Sequence, residues 1–144
     1  MKVLLVDDHE MVRLGLKSFL SMQTDIEKVL EAKNGQEGVE LALKERPDVI
    51  IMDIVMPELN GIDATLAILK EWPEAKIVIL TSYLDNEKIY PVLDAGAKGY
   101  ILKTSSATEI LQAVRKVAKG EFAIETEVSQ KVESRKNHAE LHDD

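Results

Sequence analysis

Short, continuous apolar runs recur along most of the chain and alternate with segments of helical spacing. The clearest runs are Val3 to Val6, Val49 to Met52 and Ile77 to Leu80, with weaker ones at Ile26 to Leu30 and Tyr100 to Leu102. A run without polar interruption is typical of a parallel strand that is buried on both faces of its sheet. Five such runs, each followed by a helix, predict an α/β fold of the (βα)5 type, whose doubly wound, five-stranded parallel sheet lies between two layers of helices.

Apolar residues in the intervening segments recur at helical spacing, and turn residues mark the helix boundaries. The dipeptides Asn34-Gly35 and Asn60-Gly61 precede the second and third helices, and Ser105 or Ser106, with Glu109 downstream, could cap the fifth. Two of the predicted core faces consist of Val12, Leu16 and Phe19 in the first helix and of Ile62, Leu66 and Leu69 in the third.

The composition allows one domain of ordinary size. The chain has 144 residues, of which 45% are hydrophobic, and this suffices for a single core. We expect the domain to occupy residues 1–120, and residues 121–144, where the apolar pattern decays, to form a partly helical linker or tail. The net charge of −8 disfavours direct binding to DNA or to an anionic membrane. Without an export signal or a long apolar segment, the protein is expected in the cytoplasm, which the absence of cysteines suits.

Polar side chains follow four of the five predicted strands. Asp7 and Asp8 follow the first strand, Asp53 the third, Thr81 the fourth and Lys103 the fifth. Ligands of open parallel sheets bind beyond the carboxyl ends of the strands, at the point where the strand order reverses. If the order is 2-1-3-4-5, the reversal lies between the first and third strands and brings the three aspartates together.

Three neighbouring carboxylates need a compensating cation, because each pair in contact repels by about 4 kcal/mol at an effective dielectric constant of 20. Mg²⁺ binds few carboxylates and retains water molecules that phosphoryl oxygens can replace, so we predict a Mg²⁺ site. In this arrangement Asp53 is the nucleophile that takes a phosphoryl group. Lys103 would neutralise the phosphoryl oxygens, and the Thr81 hydroxyl would hydrogen-bond one of them.

Each of these residues also has an ordinary structural interpretation. Asp7 and Asp8 could form a turn that caps the first helix, and Thr81 with Ser82 could cap the fourth. Two other functional classes fit less well. A phosphatase of the haloacid dehalogenase class needs a second acid where Val55 stands, and Asp7 and Asp8 would repel the flavin phosphate of a flavodoxin.

Several dispersed motifs together resemble the receiver domains of bacterial response regulators over residues 2–119. They are Asp7-Asp8, Asp53 within Met-Asp-Ile-Val-Met-Pro, Gly61, Thr81-Ser82, and Tyr100 three residues before Lys103. The stretches Asp-Asp-His-Glu-Met-Val-Arg at 7–13 and Tyr-Ile-Leu-Lys-Thr at 100–104 are similar to those of the NarL/LuxR-type subfamily and, within it, of the cell-envelope stress regulators. The resemblance implies a CheY-like, flavodoxin-like three-layer fold and phosphorylation of Asp53 by a sensor histidine kinase.

The resemblance also implies a metal site and a signalling role. Mg²⁺ would be bound by Asp7, Asp8 and Asp53, and by the backbone carbonyl of Val55. The domain would catalyse only its own phosphorylation and dephosphorylation, and it is not otherwise expected to be an enzyme. It would control transcription through a C-terminal helix-turn-helix domain, and the given residues end before such a domain could begin. A receiver-like module that only binds partners would lack part of the set formed by the acids and Lys103, which is complete here.

Other positions implied by the resemblance concern switching and lifetime. Thr81 and Tyr100 would form a switch pair. When Asp53 is phosphorylated, Thr81 would move toward the phosphoryl group and the Tyr100 ring would turn inward. Val55 and Tyr83 would tune the rate of dephosphorylation, and the large Tyr83 side chain predicts slow hydrolysis.

Met11 and Leu14 lie off the predicted core face of the first helix, so we expect an exposed apolar patch there. The alternative is that a neighbouring loop or helix shields them. An exposed patch would favour a homodimer that forms on phosphorylation, with Met11 as an adaptable anchor.

The three histidines are assigned no chemistry. We interpret His9 as a solvated residue in the first turn of a helix. His138 and His142 have a spacing that can bind a metal on a helix, but a disordered acidic tail is the preferred interpretation of that segment.

Overall fold

The computed structural model describes residues 1–54, 56, 59–81 and 86–124, and for residues 86–89 it describes the backbone alone. Val55, Ser82 and Tyr83, together with the tail that carries His138 and His142, lie outside the described residues. Within the described ranges, no helix is both long enough and apolar enough to cross a membrane.

In this part of the chain, helices alternate with parallel strands in the order that the sequence predicts. The strands are β1 (Lys2–Val6), β2 (Lys28–Ala32), β3 (Val49–Asp53), β4 (Ile77–Thr81), β5 (Gly99–Leu102) and β6 (Ala123–Ile124). The helices are α1 (Glu10–Ser21), α2 (Gly35–Glu45), α3 (Gly61–Glu71), α4 (Asn86–Ala95) and α5 (Ala107–Ala118). The strand order is β2-β1-β3-β4-β5-β6, and each neighbouring pair is parallel.

The predicted strand order 2-1-3-4-5 is confirmed, but the sheet is one strand larger than predicted. The additional strand β6 pairs with β5, with Gly99 opposite Ala123 and Tyr100 opposite Ile124. The predicted count of five strands is therefore wrong. The sheet continues past residue 120, into residues that were predicted to belong to the tail. A strand of two residues is too short for its periodicity to be detected in the sequence.

Two hydrophobic cores lie on opposite faces of the sheet. Successive side chains of a strand point to opposite faces, so Val3 and Leu5 join the core beneath α1 and α5, whereas Leu4 and Val6 join the core beneath α2, α3 and α4. All four side chains are fully buried. Burial on both faces explains why this strand is an uninterrupted apolar run.

Two predicted core positions lie at the surface instead: Val12 and Leu66 are exposed. In α3 the buried face is formed by Ala64, Thr65 and Ile68, so Leu66, about 100° further round the helix, turns outward. Val12 belongs to the first turn of α1, and the buried residues of this helix, Leu16 and Leu20, lie in its later turns.

Side-chain caps fix the starts of three helices. Asn34 accepts a hydrogen bond of 2.8 Å from the backbone of Glu37, and Asn60 caps α3 in the same way. For α5 the cap is Ser106, which accepts from the backbone of Glu109 at 3.1 Å while its hydroxyl donates to the Glu109 carboxylate at 3.2 Å. The bonds from the backbone amides of Glu37, Asp63 and Glu109 satisfy donors that the first helical turn leaves unpaired.

Candidate functional site

The carboxyl ends of β1, β3, β4 and β5 meet at one edge of the sheet. Asp7 directly follows β1, Asp53 is the last residue of β3, Thr81 is the last residue of β4, and Lys103 directly follows β5. The backbone amide of Lys103 donates a hydrogen bond of 2.5 Å to the carbonyl of Thr81, which joins the ends of β4 and β5. The parallel sheet thus brings together side chains that are far apart in the sequence.

The Lys103 ammonium group lies between two buried carboxylates. Its Nζ is 3.0 Å from Asp53 Oδ2 and 3.3 Å from Asp7 Oδ2. Both carboxylate oxygens are buried, and within the described residues neither has a hydrogen-bonding partner besides this ammonium group. Buried charges of this kind are costly unless they are neutralised, so the site favours further positive charge.

The pKa of Asp53 also indicates that the site favours further positive charge. Burial raises the pKa of Asp53 above its usual value, and the carboxylates of Asp7 and Asp8 raise it further. The interaction with Lys103 lowers this pKa but does not cancel the effect of burial. The ionised form of Asp53 is therefore destabilised in the protein alone, and a cation that binds nearby would stabilise it.

His9 lies at the same cluster, although the sequence analysis assigned it no chemistry. Its ring is 59% exposed, but Nδ1 faces inward, 3.1 Å from Asp7 Oδ1 and 3.3 Å from Asp8 Oδ1. His9, rather than Asp7 or Asp8, also occupies the N-cap position of α1 and makes no side-chain capping bond. Asp7 instead accepts a hydrogen bond of 2.8 Å from the His9 backbone amide, which closes a local turn before the helix.

Arg13 is a second residue that the sequence analysis missed. Its guanidinium donates a hydrogen bond of 2.7 Å to the backbone carbonyl of Asp7 and lies 3.4 Å from the Glu31 carboxylate of β2. The side chain therefore joins the loop after β1 to the neighbouring strand. Its position one turn after His9 is the signal that could have revealed this contact, since side chains on helices point back toward the N-terminus.

Four residues of the cluster could hold a metal ion. Asp7, Asp8, His9 and Asp53 each offer a ligand atom, and these atoms all lie within 4.8 Å of one another. The buried Oδ2 atoms of Asp7 and Asp53 share one ammonium group between two carboxylates and fit a divalent cation, and carboxylate oxygens are ligands that Mg²⁺ prefers.

Thr81 and Tyr100 lie on adjacent strands below this edge, and both side chains are buried. The Tyr100 ring is fully inaccessible and packs in the core beneath α3 and α4. The ring therefore already occupies the inward position that the resemblance associates with the phosphorylated state.

Met11 and Leu14 project away from both cores. Met11 is 82% exposed and Leu14 is 48% exposed, so the expected apolar patch on α1 is confirmed. No neighbouring element within the described residues shields them.

Comparison with known proteins identifies the family. The chain matches the response regulator receiver domain family over residues 3–115. It is a response regulator receiver domain. The receiver domain is 53% identical over 138 residues to the transcriptional regulatory protein LiaR of Bacillus subtilis, a match that covers 96% of this chain and 65% of LiaR. It is 48% identical over 143 residues to the response regulator VraR of Staphylococcus aureus, with 99% of this chain and 68% of VraR covered. The chain thus spans about two thirds of the length of these relatives.

Solved structures agree with the family and the fold. A LuxR-family two-component response regulator from Aurantimonas superposes with a TM-score of 0.85 at 30% identity, over 94% of this chain and 96% of that one. The isolated receiver domain of RcsB from Salmonella enterica, determined in the presence of the phosphomimetic BeF3⁻, superposes with a TM-score of 0.80 at 26% identity, over 90% and 96%. The prediction that the chain resembles receivers of the NarL/LuxR type is therefore confirmed.

Proposed function

We propose that this receiver domain accepts a phosphoryl group on Asp53 from the phosphohistidine of a sensor histidine kinase. A carboxylate oxygen of Asp53 attacks phosphorus, the phosphorus–nitrogen bond breaks, and its electron pair remains on the imidazole nitrogen of the kinase. The product is an aspartyl phosphate. The observation that carries this proposal is the position of Lys103 Nζ, 3.0 Å from Asp53 Oδ2 and 3.3 Å from Asp7 Oδ2.

Lys103 has the location needed to neutralise charge during the transfer. Transfer of a phosphoryl group spreads negative charge over its oxygens, and a fixed positive charge beside the nucleophile stabilises that distribution. The partly buried Lys103 side chain meets this need because it contacts the nucleophile directly. The hydroxyl of Thr81, at the end of the adjacent strand, would donate a hydrogen bond to one phosphoryl oxygen.

A Mg²⁺ ion would be held by the carboxylates of Asp7, Asp8 and Asp53 and, as the resemblance implies, by the backbone carbonyl of Val55. When bound, this ion would neutralise the carboxylates and the phosphoryl oxygens. The buried Oδ2 atoms of Asp7 and Asp53, which share the single ammonium group of Lys103, support this assignment. Apart from its own phosphorylation and dephosphorylation, we expect no catalysis by the domain.

Phosphorylation would act as a switch through Thr81 and Tyr100. A phosphoryl group adds nearly two negative charges at pH 7 to a site that already holds three aspartates. To convert an equilibrium of 1:99 into 99:1, it must favour the active state by about 5.5 kcal/mol. Thr81 would move toward the phosphoryl group and vacate space, and phosphorylation would thereby favour the inward position of the Tyr100 ring, the position in which the ring is buried in this structure.

The wider role follows from the relatives. We infer that the protein controls transcription through a C-terminal DNA-binding domain, as the name of LiaR states transcriptional regulation for that relative. We also infer that the protein responds to cell-envelope stress, lies in the cytoplasm and does not contact a membrane. The structure of RcsB with a phosphomimetic supports phosphorylation as the input of this domain type.

Phosphorylation would also promote a homodimer through the apolar patch of Met11 and Leu14 on α1. An unbranched, highly exposed methionine is an adaptable anchor for such a contact. Sedimentation velocity of the phosphorylated chain at tens of micromolar would show a dimer, and Met11→Gln would return it to a monomer. Met22, 79% exposed at the end of the same helix, supplies the matched control Met22→Gln. Phosphorylated wild type that sediments as a monomer would contradict the dimer.

The phosphoacceptor is tested by incubation with acetyl phosphate and Mg²⁺, followed by intact mass measurement. The wild type should gain about 80 Da, the mass of one phosphoryl group. Asp53→Asn should gain nothing. Asp63→Asn, the same change at an exposed aspartate of α3, should gain the same mass as the wild type. A gain by Asp53→Asn equal to that of the wild type would refute Asp53 as the acceptor.

A further inference from the structure

We propose that the imidazole of His9 is an additional ligand of the metal site, and that it shifts the preference of the site from Mg²⁺ toward divalent transition-metal ions, for which Mn²⁺ serves as the paramagnetic probe. The inference rests on the proposed function, because it takes the acidic cluster to be a metal site. It goes beyond that function because it assigns to this chain a nitrogen ligand of the metal and a preference among metal ions.

The position of the imidazole carries the inference. His9 Nδ1 lies 3.1 Å from Asp7 Oδ1, 3.3 Å from Asp8 Oδ1 and 3.9 Å from Asp53 Oδ2. It is also 3.3 Å from Lys103 Nζ. One ring nitrogen therefore faces all of the carboxylates that would bind the ion, at the centre of the cluster.

The surroundings of the ring favour ligation. The hydrogen bond from the His9 backbone amide to Asp7 holds the residue beside the cluster. The ring is 59% exposed, so it can turn to optimise a metal bond without disturbing a core. A second observation is that the Oδ2 atoms of Asp7 and Asp53 are buried, and that within the described residues Lys103 is the one cationic side chain beside both of them. These oxygens would be metal ligands in fixed positions. His9 would add a nitrogen ligand on a side chain that can turn.

Ligand chemistry then predicts the selectivity. Mg²⁺ is a hard ion that favours oxygen ligands and loses its water reluctantly, so an imidazole adds little to its binding. Transition-metal ions accept imidazole more readily, and their affinity for mixed nitrogen and oxygen sites rises along the series that starts at Mn²⁺. A site of three carboxylates and one imidazole should therefore bind Mn²⁺ more tightly, relative to Mg²⁺, than the carboxylates alone.

The experiment uses the whole chain with His138→Gln and His142→Gln, so that His9 is the remaining one of its three histidines. Calorimetric titrations with MgCl₂ and with MnCl₂ compare this protein with the same protein carrying His9→Phe, which keeps a ring of similar size but removes the nitrogen. Pulsed electron paramagnetic resonance of the Mn²⁺ complex then reports whether a ¹⁴N nucleus is directly coordinated. The spectroscopic measurement does not depend on phosphorylation.

We expect ¹⁴N coupling in the Mn²⁺ complex and its loss in His9→Phe. The Mn²⁺ affinity should fall by about tenfold in His9→Phe, whereas the Mg²⁺ affinity should change by less than about twofold. Asp8→Asn, which removes a carboxylate but keeps His9, should weaken the binding of both ions.

Three results would overturn the inference. Mn²⁺ that binds without ¹⁴N coupling, at an unchanged preference over Mg²⁺, would leave the metal site intact but remove His9 from it. An increase in the affinity for both ions in His9→Phe would show that the imidazole competes with the metal. If the protein with His9 bound neither ion, the acidic cluster would not be a metal site, and the proposed function would fail together with the inference.

Discussion

Gly61 packs directly against the backbone of Asp53: a Cβ atom at position 61 would lie 1.9 Å from the Asp53 carbonyl oxygen. The amide of Gly61 also donates a hydrogen bond of 2.7 Å to the carbonyl of Ile54. The start of α3 is therefore fastened to the end of β3, the strand that carries the proposed phosphoacceptor. A side chain at position 61 can be accommodated only if this backbone moves.

Gly61→Ala should lower the free energy of unfolding by about 3 kcal/mol, the upper end of the cost of overpacking, because backbone atoms rather than a flexible side chain must yield. It should also slow phosphorylation, since Asp53 moves with the strand end. Urea denaturation followed by circular dichroism measures the first effect. Gly15→Ala is the matched control: no atom lies within 4 Å of its Cβ, and alanine should stabilise the helix by up to about 1 kcal/mol. Equal stabilities of the two variants would contradict the expectation.

Asp53→Asn should stabilise the metal-free protein at neutral pH by about 1 kcal/mol, a typical effect of one substitution. Burial raises the pKa of Asp53 above 3.8, so the folded state holds this proton more tightly than the unfolded state. The resulting stability is complete below pH 3.8 and is lost as the pH rises through the raised folded-state pKa. The advantage of Asp53→Asn should therefore be largest at neutral pH and shrink in acid. Thermal unfolding in EDTA across this pH range measures it.

Asp25→Asn is a control that should change the stability in the opposite direction. A side-chain hydrogen bond with Arg115 lowers the pKa of Asp25, so its contribution to stability is present above the usual value of 3.8 and is lost as the pH falls through the lowered one. The variant should be slightly less stable than the wild type at neutral pH. A stabilising effect of both substitutions would show that general loss of negative charge, rather than burial, explains the result.

Thr65→Val should leave stability unchanged or raise it by up to about 1 kcal/mol. The Thr65 side chain in α3 is fully buried, and its hydroxyl has no hydrogen-bond partner in the described part of the structure. Replacing the hydroxyl by a methyl group removes a desolvated polar atom and keeps the shape. Thr65→Ala, which leaves a cavity instead, should cost about 1 kcal/mol or more. A clear loss of stability in Thr65→Val would show that the hydroxyl is hydrogen-bonded.

Arg13→Met should reduce the affinity for Mg²⁺ by about tenfold, because the loss of a residue that orients a metal ligand typically has an effect of this size. The guanidinium holds the Asp7 carbonyl, whereas the Lys17 ammonium group donates to Glu31, at 2.9 Å. Lys17→Met therefore removes one charge from the same helix and should leave the affinity unchanged. Calorimetric titration with MgCl₂ distinguishes the two. Equal losses would assign the effect to net charge rather than to the position of Asp7.

Tyr83→Ala should shorten the lifetime of phosphorylated Asp53, because a smaller side chain would hinder the attacking water less. The decay of the phosphorylated mass after removal of acetyl phosphate measures this lifetime. Tyr90→Ala, on α4, is the corresponding change of a tyrosine outside the site. A lifetime in Tyr83→Ala that is unchanged or longer would contradict the role of Tyr83.

Buried strands could be predicted well from the sequence, and edge strands less well. The central runs at β1, β3 and β4 were found to within one residue because they are apolar on both faces. β2 was predicted at Ile26 to Leu30 but spans Lys28–Ala32, since an edge strand carries exposed and half-exposed residues such as Lys28 and Glu31 among its apolar ones. β6 escaped prediction altogether because of its length.

The site could be predicted as far as topology determines it. Asp7, Asp53 and Lys103 meet because strand ends of a parallel sheet share one edge, and this follows from strand order alone. The inward turn of His9 and the contact of Arg13 with Asp7 depend on where α1 begins and how its first turn is oriented. A helix boundary shifted by one residue would rotate these side chains by about 100°, which sequence patterns do not resolve.

The pairing of Tyr100 with Ile124 joins β6 to the backbone of that tyrosine. The two strands lie about 4.8 Å apart, the spacing of adjacent strands. A displacement of β5 must therefore either carry β6 with it or break the hydrogen bonds that join the two strands. Through this pairing, the described residues up to 124 are mechanically coupled to the strand that lies beside Thr81.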